Sequence, residues 1–280
     1  MKDMSMNTVI GIDVGGSTTK IVGFQGTQLL SPMFVKANDP VASVYGAFGK
    51  FTTVNKIALD KIDRVMITGV GSAFINEEIF GIPTTHVTEF EATGRGGLYI
   101  SGLDEAIIVS MGTGTAIVHA KEGQITYMGG TGVGGGTIVG LSRKMLGIST
   151  VDHVIELAKN GSLSKIDLTV ADITSKKILP ALPPEITAAN FGKLSDLATD
   201  ADIALGIINL VCETIAMMTI FAARQRGIHD IVMTGNLTTL PQGREIYSKL
   251  GSMFGYNFRI SENSQFGTVI GAALTFFMKD

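Results

Sequence analysis

Short apolar runs punctuated by glycine open the chain. Residues 8–12 read as a buried strand and 19–24 as its hairpin partner, around the turn Asp13-Val14-Gly15-Gly16-Ser17-Thr18. Gln25-Gly26 marks the next turn and 28–35 a third strand. Helical spacing follows at 40–54, a strand at 64–68, a helical stretch near 73–80, a strand at 85–87 with Glu89 at its end, and a helix at 92–100. The plan then restarts. Residues 105–110 and 115–120 form a second hairpin around Met111-Gly112-Thr113-Gly114, then comes the turn Glu122-Gly123 and a strand at 124–128. Two strand–turn–strand–turn–strand beginnings amount to an internal repeat of topology, with the break near 102–104.

Beyond the repeat, apolar spacing predicts helices at 137–146, 151–160, 201–226, 244–254 and 267–278, with strands at 230–234 and 257–260. Residues 167–184 read as loop. Strands mixed with helices predict an α/β chain. The expected division is an N-terminal domain over 1–103 and a similar C-terminal domain over 104–280, with a cleft between them.

Composition removes several classes of function. At 280 residues and 45% apolar, the chain can bury a large core and is not disordered. A net charge of −3 leaves no broad cationic surface, so neither nucleic acid nor a membrane is an expected partner. The most apolar long stretch, 203–221, carries Asn209, Glu213, Thr214 and Thr219, which argues against a membrane span. The polar start 1–7 has no apolar core of a signal peptide, and a cytoplasmic location is expected. The single cysteine, Cys212, excludes a disulfide framework and a cysteine metal cage.

Glycine is the anomaly: 35 residues, twice the usual share of roughly 7%. Four segments concentrate it with small hydroxyls. They are Gly15-Gly16-Ser17-Thr18 with Lys20; Gly112-Thr113-Gly114-Thr115; the run 129–136 with Gly132, Gly134, Gly135 and Gly136; and Gly235-Asn236. Glycine lets backbone N–H groups converge on an anion, hydroxyls add donors, and Lys20 adds a point charge. The third run opens a helix, whose N-terminus also suits an anion. One such turn is an ordinary hairpin. The combination points to phosphate. Asp13 would repel phosphate unless a hard cation such as Mg²⁺ bridged the two; its other reading is a turn cap.

At these residues the chain resembles the acetate and sugar kinase/Hsp70/actin superfamily, and more narrowly the type II pantothenate kinases. The narrower resemblance rests on Thr-Ala-Ala-Asn-Phe-Gly at 187–192, Glu-Phe-Glu-Ala at 89–92, Gly-Thr-Gly-Thr at 112–115 and the run 129–136. It implies two actin-like ATPase (ribonuclease H-like) domains. It also implies ATP and Mg²⁺ as cofactors, pantothenate as substrate, and 4'-phosphopantothenate as product, the first step of coenzyme A synthesis. In that family a Glu at Glu89 is the base, so Glu89 and Asp13 become the catalytic candidates, with Asp13 the metal ligand. Gly15, Gly16, Ser17, Thr18, Lys20, the second turn, the glycine run, Gly235 and Asn236 would hold nucleotide. Glu89, Tyr127, Thr187, Ala188 and Asn190 would hold substrate. A homodimer on the long helix is also implied.

By spacing alone Glu89 is a solvated loop acid. The family usually carries Arg where this chain has Tyr127, and tyrosine supplies no fixed positive charge. That departure keeps two other readings open: a kinase for another small hydroxyl compound, and a nucleotide-binding regulator. Arg95 either compensates or is a surface residue. Activator ATPases of acyl-CoA dehydratases need cysteines for an iron–sulfur cluster, which one mid-helix cysteine does not supply.

Overall fold

The computed structural model describes residues 8–36, 39–174 and 183–278. The first half contributes β1 (Thr8–Val14), β2 (Thr19–Gln25), β3 (Gln28–Val35), α1 (Pro40–Asn55), β4 (Ile62–Thr68), β5 (Thr84–His86) and α2 (Glu89–Ser101). The second contributes β6 (Glu105–Met111), β7 (Thr115–Lys121), β8 (Gln124–Thr131), α3 (Gly135–Leu146) and α4 (Val151–Ala158). The short pieces β9 (Leu168–Thr169), α5 (Val170–Ile173) and β10 (Thr187–Ala189) follow. Then come α6 (Asp200–Arg226), β11 (Asp230–Thr234), α7 (Pro241–Phe254), β12 (Asn257–Arg259) and α8 (Gly267–Leu274).

The repeat is a repeat of sheets. One sheet runs β3-β2-β1-β4-β5 and the other β8-β7-β6-β11-β12, read in the corresponding direction. In each, two antiparallel hairpins lead to two parallel neighbours. Even the irregularities correspond. The third strand of each sheet is bulged against the second, between Ile21 and Gly23 on β2 and between Ile117 and Val118 on β7. Such bulges bend a strand and re-aim its side chains.

Local chemistry sets the helix ends. Asp39 caps α1 by accepting from the Ala42 N–H at 2.6 Å, ahead of Pro40 in the first turn. Thr199 and Asp202 form a reciprocal capping box on α6, which stops at Gly227 with φ +68°. Loss of such a cap costs about 1 kcal/mol. Among the described residues α6 alone has the length and hydropathy to cross a membrane. Here Ile207, Ile208, Val211, Cys212, Ile215 and Ile220 are fully buried in the second half's core, with α3, α4 and α7 packed against it.

Two helices cross between the halves. α2 leaves the first half and lies on β6 and β7, whereas α8, from the chain's end, lies on β1, β4 and β2. They meet at glycines. A Cβ at Gly96 would strike the Gly267 carbonyl, and one at Gly271 would strike the Ala92 carbonyl. Neighbouring Gly94 and Gly97 leave room for Ile125 and Ile108. These glycines serve packing, which phosphate chemistry would not have explained.

Two expectations need correction. Residues 73–80 are not a helix: Val70–Phe74 is a single 3₁₀ turn, and an irregular segment follows to an Ile79–Ile82 bridge. Ile75, Ile79 and Ile82 are buried at helical spacing, so the periodicity reflects three anchors of a loop. The strand expected at 124–128 continues to Thr131, and Gly130 pairs with Ala116 inside the sheet.

Candidate functional site

Asp13 and Lys20 are cross-strand partners at the closed end of the first hairpin. The turn between them is fixed by the Gly15 N–H donating to the Thr18 carbonyl at 3.0 Å. The second hairpin closes one residue tighter, Gly112 N–H to Gly114 carbonyl at 2.9 Å. Each turn is flanked by a Thr-Gly step at the end of a parallel strand. Gly69, with φ +86°, passes so close that a Cβ would lie 2.5 Å from Asp13 Oδ1 and 2.6 Å from the Val14 carbonyl. Gly235, with φ +91°, does the same against Met111. Only glycine adopts that backbone at that distance.

Between the halves these pieces enclose a cavity of about 330 Å³. Its wall includes Asp13, Gly15, Gly16, Ser17, Thr18, Lys20 and Glu89 from the first half. From the second half come Gly112, Thr113, Gly114, Thr115, Gly235 and Asn236. The Asn236 amide donates to Thr18 Oγ1 at 3.4 Å, a direct link across the cleft, while Asn236 Oδ1 is buried with no hydrogen-bond partner among the described residues.

Glu89 is the first residue of α2, after the cap Thr88, rather than the end of a strand. A carboxylate there is favoured by the helix dipole. Three charges share the cavity. Burial pushes the Glu89 carboxyl above its ordinary range, with the charge of Asp13 adding and that of Lys20 opposing. Burial likewise raises Asp13, against the pull of Lys20. Burial lowers Lys20, against the support of Asp13 and then Glu89. Lys20 is 7% exposed and forms no ion pair within 4 Å among the described residues.

No group of three or more His, Cys, Asp or Glu gathers for a metal among the described residues. What the cavity offers is two carboxylates, Asp13 and Glu89, with the hydroxyls of Ser17, Thr18 and Thr113. That donor set fits Mg²⁺, which keeps its waters and takes one or two carboxylates together with phosphate oxygens.

The remaining candidates lie elsewhere. Gly132, Gly134, Gly135 and Gly136 stand behind the second turn and do not line the cavity. The Gly135 and Gly136 N–H groups donate to the Gly112 and Thr113 carbonyls at 2.9 Å, and those of Thr137 and Ile138 to the Gly134 carbonyl. The N-terminus of α3 therefore has its amides spent, contrary to the expectation that it faces an anion. The run buttresses the second turn, and Thr131 is the residue of it that reaches the cavity.

Thr187, Ala188 and Asn190 sit on and beside β10, next to a second cavity of about 580 Å³ whose wall includes Thr187. Asn190 donates to Glu213 at 2.9 Å, Asn209 to Asp167 at 2.7 Å, and the Phe191 N–H to Asp167 at 2.8 Å. Sequence reading missed Asp167, Asn209 and Glu213 as a polar network. Asn209 and Glu213, four apart on an otherwise apolar helix, were the available signal. Tyr127 is half exposed and stacks on Phe90, ring centres 4.1 Å apart and 17° from parallel. Arg95 bonds Glu91 at 3.0 Å, a pair one turn apart on α2.

Comparison with known proteins gives concordant matches. The family model described as Fumble matches residues 50–248. A type II pantothenate kinase of Bacillus cereus (strain G9842) is 32% identical over 247 residues, covering 82% of this chain and 84% of the relative. That of Staphylococcus haemolyticus (strain JCSC1435) is 30% identical over 273 residues, covering 94% and 98%. Among solved structures, (R)-2-hydroxyglutaryl-CoA dehydratase component A of Acidaminococcus fermentans superposes with a TM-score of 0.69 at 18% identity, covering 96% and 97%. The ROK hexokinase of Thermus thermophilus gives 0.57 at 13%, covering 96% and 98%. At those identities the likeness is one of fold: two α/β domains of the actin-like ATPase type.

Proposed function

The chain belongs to the type II pantothenate kinase family, and on that basis we propose that it transfers the γ-phosphoryl group of ATP to the primary hydroxyl of pantothenate. The observation that carries the reading is the convergence of Glu89, Lys20 and two glycine turns on one cavity.

Phosphoryl transfer asks for positioning, charge neutralisation and one proton acceptor. The turns Gly15–Thr18 and Gly112–Thr115 present backbone N–H groups and hydroxyls to the phosphates. Lys20, held between Asp13 and Glu89, contributes a desolvated positive charge. Asp13 would hold Mg²⁺, which when bound neutralises phosphate charge. Glu89 accepts the hydroxyl proton at its carboxylate as the oxygen attacks. Its raised pKa makes it a stronger base than an exposed carboxylate. Gly235 and Asn236 carry the nucleotide side of the cleft.

The same proposal takes 1–103 and 104–280 as the two domains, with α8 returned to the first sheet, and places the enzyme in the cytoplasm. It also takes α6 as the seam of a homodimer. Supporting the seam, Phe221 is 57% exposed and Met217 and Met218 are only partly buried.

The test is ADP release from ATP and Mg²⁺ with and without pantothenate, beside Glu89→Gln. Pantothenate-dependent release that collapses in the variant is expected. Nucleotide binding without turnover would favour the regulator reading raised by Tyr127.

A further inference from the structure

Two helices bring their first turns to the reacting cavity. Glu89 opens α2, and Thr268, the second residue of α8, stands on the same wall. Thr268 is 7% exposed, and its Oγ1 lies 3.1 Å from Oγ1 of Thr93. Thr93 follows Glu89 by four residues on α2, so the two share one face of that helix, a turn apart. The pair sits inside the glycine crossing, where Gly267 abuts Gly96 and Gly271 abuts Ala92, and that packing holds the two hydroxyls together.

Proton counting gives the direction of their hydrogen bond. Each hydroxyl has one proton to donate. Thr93 is 1% exposed, and Thr268 is its one side-chain partner among the described residues. Were Thr268 the donor, the Thr93 proton would be buried and unspent, which costs the full desolvation of that group. Thr93 therefore donates and Thr268 accepts. The proton of Thr268 is left over, on a hydroxyl at the cavity wall with no acceptor among the described residues.

The proposed reaction brings an anion to this wall. A transferring phosphoryl group spreads its charge over three equatorial oxygens. Lys20 is the one cation on the wall among the described residues. A hydroxyl donor in the first turn of α8, where the helix dipole is positive, suits one of those oxygens. Given to Glu89 instead, the same proton would weaken the base.

We infer that Thr268 is a further catalytic residue: its hydroxyl, oriented by Thr93, donates to an equatorial oxygen of the phosphoryl group in transit. This deepens the proposed kinase reading and rests on it.

Thr268→Val keeps the shape and removes the donor. Its kcat with ATP, Mg²⁺ and pantothenate should fall about 10- to 100-fold, the worth of one hydrogen bond to a charged oxygen. ADP affinity, read by calorimetry, should hold, because ADP lacks the γ-phosphoryl group. The affinity of the ADP complex for fluoroaluminate, a mimic of that group, should fall with kcat. Thr268→Ser should restore both. Thr93→Val leaves the wall intact but lets the Thr268 hydroxyl turn; it should lower kcat less, and add nothing to Thr268→Val when the two are combined. Should the valine variant fail to fold, Thr268→Ala takes its place against serine. An unchanged kcat, a loss that serine does not restore, or a loss with fluoroaluminate affinity unmoved overturns the inference and leaves the kinase standing. A parent protein that does not turn over pantothenate removes the kinase reading, and the inference with it.

Discussion

Asp13 and Lys20 stand opposite each other across β1 and β2, and the charge of each opposes the burial that pushes the other toward its neutral form. On the proposed reading, the hairpin would supply a cation for phosphate and a carboxylate for a divalent ion in one step of register. Replacing Lys20 by Met should lower kcat/KM for ATP about 10- to 100-fold, the worth of one charge-assisted hydrogen bond. It should also lower the melting temperature of the ligand-free protein, since Asp13 is left without its counter-charge. Adding Asp13→Asn should restore the melting temperature but not the activity. Calorimetry on the four proteins of the cycle decides the matter.

Glu89 carries a cost in the resting protein. Its folded pKa is raised, so the ionised form is disfavoured on folding: stability is fully present below the carboxyl's unfolded pKa and is lost as pH rises from there through the raised folded value. At pH 7 Glu89→Gln should therefore melt higher than the parent, and the gap should close as pH falls from that raised pKa to below the ordinary carboxylate value. Activity should drop about 10²- to 10⁴-fold. In the parent, kcat should fall on acidification with a midpoint above that of an ordinary carboxylate.

The α2–α8 crossing tolerates no side chain at its centre. Gly96→Ala and Gly271→Ala each set a methyl against a carbonyl of the partner helix. Each should destabilise the protein by about 1–3 kcal/mol or more, the range for overpacking a filled interface. Gly46→Ala on α1, where a Cβ meets open space, is the control expected to be neutral or slightly stabilising. Urea melts read the difference.

Cys212 should be silent. It is fully buried on α6 beside Tyr247, and burial pushes its thiol up to about 12. The folded protein should show no reaction with a thiol reagent at pH 8, and the unfolded chain one equivalent. Fast labelling of the folded protein would contradict this placement.

Phe221 tests the dimer. A charge introduced at its exposed face, Phe221→Asp, should halve the mass seen by sedimentation and leave the monomer folded, because the core face of α6 is untouched.

Much of the site was legible along the chain because its chemistry is local. Turns such as Gly15–Thr18 and Gly112–Thr115 declare themselves by glycine and hydroxyl content, and strand–turn–strand order repeats visibly in the residues that flank them. An acid between a buried strand and such a turn, Asp13, is conspicuous for the same reason. Glu89 was not legible from spacing; it emerged from resemblance, and its charge environment from packing.

What only the tertiary structure decided was long-range. The glycine run 129–136 announces anion chemistry by composition, yet its amides are consumed by the carbonyls of another turn. The glycines of α2 look like helix defects until α8 arrives from the far end of the chain to fill them. Ile75, Ile79 and Ile82 keep helical spacing without a helix because burial, not hydrogen bonding, sets their interval. Composition and period record which residues must be buried or must bend. Which partner buries them depends on contacts between separate segments, more than a hundred residues apart where α8 meets α2, and that information lies in the packing alone.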